Sequence, residues 1–281
     1  MRTILRGKTK EVVIDTDGPV VIIGESINPT RRKRLVATLQ EKNFDYMLSI
    51  ARRQIDAMAD VLDVNVGYPG VNDEELLPEA VRAIQDNFDI PLCLDSPNSA
   101  AIEAALKVAK GKCLINSVNC EEKSMVRLLP VAKEYGAAII GLVLDEGGIS
   151  NDPEKRLEIA GRIIERALKT GMSEEDIIID PIAMAVSADL NACMVTLETI
   201  RLVHDRLGHN ITLGASNVSF GLPDRDSINN AFMAMSILNG VTCPIANPKK
   251  ITGLVRAADL VLARDAFAIR YIEHYHSTQQ S

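Results

Sequence analysis

The sequence of 281 residues contains no tryptophan, and aromatic residues make up only 4% of it. A buried core must therefore be built from aliphatic side chains, which are plentiful because 47% of the residues are hydrophobic. The five cysteines form no C-x-x-C pair, so neither a disulfide framework nor a zinc site of that type is expected. Cys93 and Cys113 lie in apolar runs and are expected to be buried thiols.

Long runs of one kind of residue are also scarce. No apolar stretch is long enough to span a membrane, and no signal peptide is recognisable. The net charge is −7, and the densest basic cluster, Arg31–Arg34, begins a helical pattern. A solvated helix start explains this cluster better than a phosphate contact does. The sequence therefore predicts a cytoplasmic protein that binds neither nucleic acid nor a membrane.

Short apolar runs alternate with helical periodicities along the chain. In one helical stretch Asp152 is the expected N-cap, Pro153 the first helical residue and Gly171 the stop. Eight strands alternating with about eight helices favour a (β/α)8 barrel. A doubly wound sheet is the alternative, but it usually carries G-x-G-x-x-G after its first strand, and this chain has IIGESINPT there. The predicted strands are 20–23, 61–66, 91–95, 113–116, 137–143, 177–180, 211–213 and 241–245.

Residues 1–19 precede the first predicted strand. Their alternating pattern and the Asp17-Gly18 turn predict a small hairpin extension that closes the bottom of the barrel. No internal repeat or linker interrupts the rest, so residues 1–281 are predicted to form a single domain.

Polar residues follow the predicted strands, at the end of the barrel where such enzymes carry their chemistry. Nearly all of them are carboxylates or amides. No lysine, cysteine or histidine ends a central strand, which argues against Schiff-base, thiol and triad chemistry. The four histidines are expected at the surface. The strand-end residues include Glu25, Asn28, Asp63, Asn65, Asp95, Asn116, Asp180, Ser216, Asn217 and Asn247.

Buried carboxylates need partners, and two kinds of ligand could supply them. One is a metal ion held by Asp63, Asp95 and Asp180. The other is a heterocycle rich in N–H donors, such as a pterin, whose 2-amino group and adjacent ring nitrogen present parallel donors to a carboxylate. The abundance of asparagine favours the heterocycle. Helix capping is the simpler explanation for some single residues, above all Asn98 and Asn119.

Six segments then follow one another at barrel-strand spacing. In order they are GESIN (24–28), LDVNVG (62–67), PLCLDSPN (91–98), INSVN (115–119), IIIDP (177–181) and GASNVSFG (214–221). Together they resemble the pterin-binding methyltransferases, in particular the methyltetrahydrofolate:corrinoid protein methyltransferases. The resemblance covers nearly the whole chain. It implies a barrel of the dihydropteroate synthase type that is usually a homodimer.

The resemblance also implies a reaction and a site. A methyl group would move between N5 of tetrahydrofolate and the cobalt of a corrinoid, in either direction, with 5-methyltetrahydrofolate as the methylated form. No protein-bound metal would be needed. Asp95, Asn116 and Asp180 would bind the pterin ring, and Asn217 would hydrogen-bond N5. An amide does not titrate near neutrality, so Asn217 is expected to stabilise the N5-protonated state while water supplies the proton. The expected pterin site is Glu25, Asp63, Asn65, Asp95, Asn116, Asp180, Gly214, Ser216 and Asn217.

The cobalamin is expected to arrive on a partner protein, because the sequence has no D-x-H-x-x-G corrinoid motif. This corrinoid protein would dock over the mouth of the barrel. Arg225 is a candidate for contacting the pterin tail or the partner, and a salt bridge to Asp224 or Asp226 is the simpler alternative. Ser26 and Phe220 depart from the family pattern, which affects the expected partner and direction of transfer rather than the pterin site.

Three other functions remain as alternatives. Dihydropteroate synthase would need a lysine and a basic segment late in the chain, and GASNVSFG has neither. A metal-dependent barrel lyase or hydrolase would use the strand-end aspartates as ligands. A pterin-binding subunit without catalysis would bind folate but transfer nothing.

Overall fold

An antiparallel hairpin precedes the main sheet in the computed structural model, which describes residues 1–279. Its strands are β1 (Arg2–Arg6) and β2 (Glu11–Asp15). The turn between them is closed by the amide of Gly7, which donates to the carbonyl of Lys10 at 2.8 Å. The predicted hairpin is therefore confirmed, but Asp17-Gly18 lies after its second strand rather than at its tip.

The hairpin packs its buried face against the barrel interior. Leu5 and Ile14 are fully buried. Asn210, where a barrel strand begins, donates from Nδ2 to the Thr3 hydroxyl and to the Ile14 carbonyl, both at 3.0 Å. The hairpin thus closes the amino-terminal end of the barrel, as predicted. The barrel residues in the same apolar cluster are Val21, Ile23, Val61, Cys93, Leu114, Ala138, Ile140, Ile178, Cys243 and Ile245.

Eight parallel strands follow. They are β3 (Ile23–Ile27), β4 (Val61–Val64), β5 (Leu92–Asp95), β6 (Leu114–Asn119), β7 (Ala138–Leu142), β8 (Ile177–Asp180), β9 (Asn210–Ile211) and β10 (Ile245–Ala246). They pair in the order β10-β3-β4-β5-β6-β7-β8-β9. The amide of Ile245 donates to the carbonyl of Leu213 at 3.0 Å, and Gly214 forms a parallel bridge with Ile245, so the two ends of the sheet meet. The predicted (β/α)8 barrel is confirmed.

Helices surround the sheet, and all but the last bury apolar residues in the core, whereas the last contacts the helix before it and buries none within residues 269–279. Asp152 caps one of them by accepting from the amide of Glu154, and Pro153 is its first residue, as predicted. They are α1 (Lys33–Gln40), α2 (Asp45–Asp56), α3 (Asp73–Asn87), α4 (Ser99–Leu106), α5 (Glu122–Tyr135), α6 (Pro153–Lys169), α7 (Ala192–Leu207), α8 (Arg225–Leu238), α9 (Pro248–Val261) and α10 (Ile269–Gln279).

The bounds of the first barrel strand differ from the prediction. Residues 20–22 are buried, but the strand begins only at Ile23. The amide of Val20 instead donates a hydrogen bond to Oδ1 of the Asp259 carboxylate, at 3.0 Å. Glu25 therefore lies inside β3, not after it. The last strand is shifted in the same sense, from the predicted 241–245 to β10.

No helix among residues 1–279 is both long enough and apolar enough to cross a membrane. Cys93 and Cys113 are buried, as expected. His209 contradicts the expectation of surface histidines, since it is buried with Nδ1 2.9 Å from the Leu207 carbonyl. It precedes β9, at the end of the barrel opposite the mouth. The assignment of residues 1–281 to one domain stays a prediction.

Candidate active site

A cavity of about 680 Å³ opens at the carboxyl ends of the barrel strands. The structure brings eight of the nine predicted site residues to its wall. The ninth, Asn65, does not line it. The eight are Glu25, Asp63, Asp95, Asn116, Asp180, Gly214, Ser216 and Asn217.

Asp63 on β4 is almost completely buried. Asn116 on β6 donates to its Oδ1 from Nδ2 at 3.2 Å. Burial, and then the neighbouring charge of Asp95, raise the pKa of Asp63 well above its ordinary value. The Asp63 carboxyl therefore takes up a proton readily and is positioned to hold the Asn116 amide in one orientation.

Asp95 ends β5 and lines the cavity. Asn65 donates to its Oδ2 from Nδ2 at 2.9 Å, while the Asn65 Oδ1 accepts from the amide of Gly67 at 2.8 Å. Burial raises the pKa of Asp95, and the Asn65 hydrogen bond opposes that rise. Asn65 thus orients Asp95 instead of facing the cavity itself.

Asp180 ends β8 on the opposite side of the cavity floor. Its Oδ1 accepts from the amide of Ile182 at 2.7 Å. Burial raises the pKa of Asp180 to about 7, while this hydrogen bond and the charge of Arg156 lower it. Asp180 therefore changes ionisation near neutral pH.

Arg156, in the first turn of α6, is completely buried. Its Nη1 donates to the carbonyls of Pro181 at 2.7 Å and Ile182 at 3.0 Å, and its Nε donates to Ser150 at 2.7 Å. The sequence reasoning missed this residue. The available signal was its position on the apolar stripe of α6, which continues through Ile159, Ala160, Ile163, Ile164 and Ala167.

The segment after β9 forms a 3-10 turn, Ala215–Ser219. Asn217 is exposed at the cavity wall, and no side chain among residues 1–279 hydrogen-bonds its amide. A Cβ placed on Gly214 would lie 3.1 Å from the Asn217 Nδ2. Glycine at 214 is thus matched to the close approach of this amide to the backbone.

Arg225 holds that turn. Its Nη2 donates to the Ser216 carbonyl at 2.7 Å and its Nε to the Ser219 hydroxyl at 2.9 Å. The guanidinium also lies over the Phe220 ring, 4.7 Å from its centroid. The expected salt bridge to Asp224 or Asp226 is wrong. Asp226 binds Lys250 instead, at 2.7 Å.

Glu25 faces the same turn from β3. Its Oε2 accepts from the Ser216 hydroxyl at 3.0 Å. Burial raises the pKa of Glu25, against the lowering effects of Ser216 and of the nearby cations. Those cations are Arg32, Arg225 and Lys250.

Several strand-end asparagines have structural partners. Asn98 caps α4 by accepting from Ala100 at 3.0 Å, as expected, and Asn247 caps α9 in the same way. Asn119 accepts from the amide of Glu121 at 3.2 Å but is not the N-cap of α5. Across residues 1–279, no three Asp, Glu, His or Cys side chains are grouped closely enough to hold a metal ion.

The fold and the site define a (β/α)8 barrel whose mouth is lined by carboxylates and amides suited to a nitrogen-rich heterocycle. Residues 24–247 match the family described as pterin binding enzyme, and the chain belongs to that family.

Two relatives narrow the comparison. The chain is 30% identical over 262 residues to the methylcorrinoid:tetrahydrofolate methyltransferase of Eubacterium limosum, which covers 90% of this chain and 94% of that protein. It is 29% identical over 253 residues to the methionine synthase of Mycobacterium tuberculosis, covering 85% of this chain but 21% of that protein. The predicted family and enzyme class, a methyltransferase, are confirmed.

Solved structures agree on the fold. A dihydropteroate synthase of Yersinia pestis with a pterine-sulfa conjugate superposes with a TM-score of 0.70 at 16% identity, over 93% of this chain and 99% of that one. The Coxiella burnetii dihydropteroate synthase in complex with pteroic acid gives 0.67 at 17% identity, over 92% and 98%. At these identities the likeness concerns the fold alone.

Proposed function

We propose that the protein transfers a methyl group between N5 of tetrahydrofolate and the cobalt of a corrinoid carried by a partner protein. The observation that carries this proposal is the meeting of Asp95, Asn116 and Asp180 with Asn217 in one cavity. The identity to a methylcorrinoid:tetrahydrofolate methyltransferase supports the same reaction. Both the folate and the corrinoid are substrates in this proposal.

The pterin ring binds to the floor of the cavity. Asp95 and Asp180 accept from the 2-amino group and the ring N–H donors, and Asn116 both donates and accepts. Asp63 and Asn65 act indirectly, because Asp63 holds Asn116 in place and Asn65 holds Asp95 in place. An ionised Asp180 is the stronger acceptor, so ring binding is tighter above its pKa.

Asn217 acts at the reacting nitrogen. A tertiary amine is a poor leaving group, so the methyl group leaves N5 only if positive charge there is stabilised. No other side chain of residues 1–279 hydrogen-bonds the Asn217 side-chain amide. This amide orients and stabilises the N5-protonated state. A hydrogen bond that strengthens at the transition state contributes on the order of a few kcal/mol.

The corrinoid protein docks over the open mouth of the barrel, where the cobalt reaches the N5 side of the ring. The same site serves transfer from the methylcorrinoid to tetrahydrofolate and the reverse, because a catalyst lowers the barrier in both directions. Assembly of the chain as a homodimer stays a prediction.

A cobalt absorption assay tests this function. The purified protein is mixed with methylcobalamin and tetrahydrofolate, and in a second series with cob(I)alamin and 5-methyltetrahydrofolate, beside samples without protein. Protein-dependent interconversion of the two cobalt spectra is the expected result. Binding of 5-methyltetrahydrofolate is measured in parallel by calorimetry. A protein that neither converts cobalamin nor binds 5-methyltetrahydrofolate would overturn the proposal.

A further inference from the structure

Methylation of tetrahydrofolate at N5 requires a proton acceptor, and the proposed function assigns no site residue to that role. N5 of tetrahydrofolate carries a hydrogen, and that proton must leave as the N–CH3 bond forms. The Asn217 amide cannot accept it, because an amide does not titrate near neutrality. A carboxylate on the same side of the cavity could.

The aspartates of the site are placed for other work. Asp63, Asp95 and Asp180 lie on β4, β5 and β8, and each already accepts a hydrogen bond from the protein. In the proposed function they surround the floor on which the ring lies. None of these hydrogen bonds comes from the turn that carries Asn217.

Glu25 is the cavity carboxyl attached to that turn. Strand β10 lies between β3, which holds Glu25, and the end of β9, from which the turn begins. The Ser216 hydroxyl, one residue before Asn217, donates to the Glu25 Oε2 at 3.0 Å. Glu25 forms no salt bridge within residues 1–279, and it is half-buried in the cavity wall. Among the same residues, no side chain or backbone group hydrogen-bonds its second oxygen, Oε1, which is left for a ligand.

We infer that Glu25 is the catalytic proton acceptor for N5 when tetrahydrofolate is methylated, and the proton donor in the reverse reaction. The inference rests on the proposed function. In the forward step the N5 lone pair forms the bond to the methyl carbon, and the methyl–cobalt bond breaks. Its electron pair stays on cobalt, which passes from cobalt(III) to cobalt(I), and the N5 proton moves to Glu25.

The surroundings of Glu25 suit both directions. Burial raises the pKa of Glu25 above its ordinary value, so this carboxyl holds a proton more readily than an exposed glutamate does. The cations keep the ionised form accessible. The charged groups facing Glu25 are Arg32 before α1, Arg225 on α8, Lys250 on α9 and the Asp63 carboxyl on β4.

The test compares Glu25→Gln with Glu25→Asp. Glutamine keeps the size and the acceptor for Ser216 but cannot titrate, whereas aspartate still titrates. Methyl transfer from methylcobalamin to tetrahydrofolate is followed from about pH 5.5 to about pH 9. Tetrahydrofolate affinity is measured by calorimetry. Glu198→Gln is the matched control, because Glu198 pairs with Arg201 on the exposed side of α7.

Glu25→Gln should lower kcat about 100-fold while tetrahydrofolate affinity changes less than about threefold. At saturating tetrahydrofolate, where the ionisation of Asp180 affects KM rather than kcat, the dependence of kcat on Glu25 ionisation should be absent from the Gln variant and retained in the Asp variant. A Gln variant within about threefold of the wild-type kcat overturns the inference, as does one that loses tetrahydrofolate binding in proportion. An inactive wild-type protein would instead overturn the proposed function.

Discussion

Arg156 and Ile182 are joined by a hydrogen bond of 3.0 Å from the buried guanidinium to the carbonyl, and the Ile182 amide donates onward to Asp180 at 2.7 Å. Ile182 has φ 63°, a region that β-branched residues rarely occupy. No carboxylate among residues 1–279 lies within ion-pair distance of Arg156. The guanidinium thus holds a strained loop in place and directs its charge toward Asp180.

Replacing Arg156 with methionine should weaken folate binding from a distance. Three carbonyls lose their donor, which costs roughly 1–3 kcal/mol in the free energy of unfolding. Loss of the positive charge also raises the pKa of Asp180, so a larger fraction is protonated at pH 7. We expect tetrahydrofolate affinity at pH 7 to fall about tenfold and to recover partly at higher pH. Calorimetry across the pH range checks this.

Arg156→Lys is the control for that experiment, because it keeps the charge and loses the planar fork. Compared with the methionine variant, the lysine variant should bring the pH dependence of tetrahydrofolate affinity closer to wild type, while its free energy of unfolding should recover less. A methionine variant with wild-type affinity at every pH would show that the Arg156 guanidinium has no influence on Asp180.

Asp180→Asn should stabilise the free protein while weakening folate binding. The folded-state pKa of Asp180 is about 7 against an ordinary 3.8, so the folded protein holds a proton that the unfolded chain has released between these values. The contribution of Asp180 to stability is therefore lost as pH rises from about 4 to 7. Above pH 7 the variant should exceed wild type by on the order of a few kcal/mol.

Urea unfolding at acidic and alkaline pH measures that difference, and tetrahydrofolate calorimetry measures affinity, which should fall at least about tenfold. If the wild-type protein gained stability over the variant as pH rose, the buried-charge explanation would be wrong.

The helices and strands could be predicted because their signals are local. Asp152 and Pro153 begin α6 by capping and φ preference alone. The start of β3 could not be placed, because residues 20–22 are as apolar as Ile23 and only pairing with other strands separates them. Pairing depends on residues far away in the sequence.

The candidate site was predictable to a similar extent. The rule that barrel chemistry lies at the strand ends was sufficient to place Asp95 and Asp180 at one cavity. It could not show that Asn65 turns toward Asp95, 30 positions later, or that Arg156 reaches Ile182, 26 positions later. Side-chain partners of this kind are fixed by tertiary packing.

Gly214→Ala should act through Asn217. The added Cβ would lie 3.1 Å from the Asn217 Nδ2, so the amide must shift. Asn217→Ala should lower the transfer rate about 100-fold with little effect on folate affinity. Because Gly214→Ala disturbs the same amide, the double variant should be no slower than Asn217→Ala. Transfer rates for all four proteins test this, and additive losses would mean that Gly214 matters for another reason.

Arg225→Lys should disorganise the turn that presents Asn217. Lysine cannot reproduce the paired bonds to the Ser216 carbonyl and the Ser219 hydroxyl. We expect kcat to fall about tenfold while KM for tetrahydrofolate changes little, because the ring contacts lie elsewhere. Lys249→Arg, at the start of α9 outside the cavity lining, is the control. A change confined to KM would indicate a direct folate contact instead.

Leu5→Ala should separate stability from activity. Leu5 is fully buried where the hairpin closes the amino-terminal end of the barrel, away from the mouth. Truncating such a side chain costs about 2–5 kcal/mol in the free energy of unfolding. Ile4→Ala, on the half-exposed face of the same strand, should cost less. Urea unfolding and the transfer rate per folded molecule are measured together, and that rate should be unchanged. A slower folded Leu5→Ala protein would show that the hairpin influences the site at the far end of the barrel.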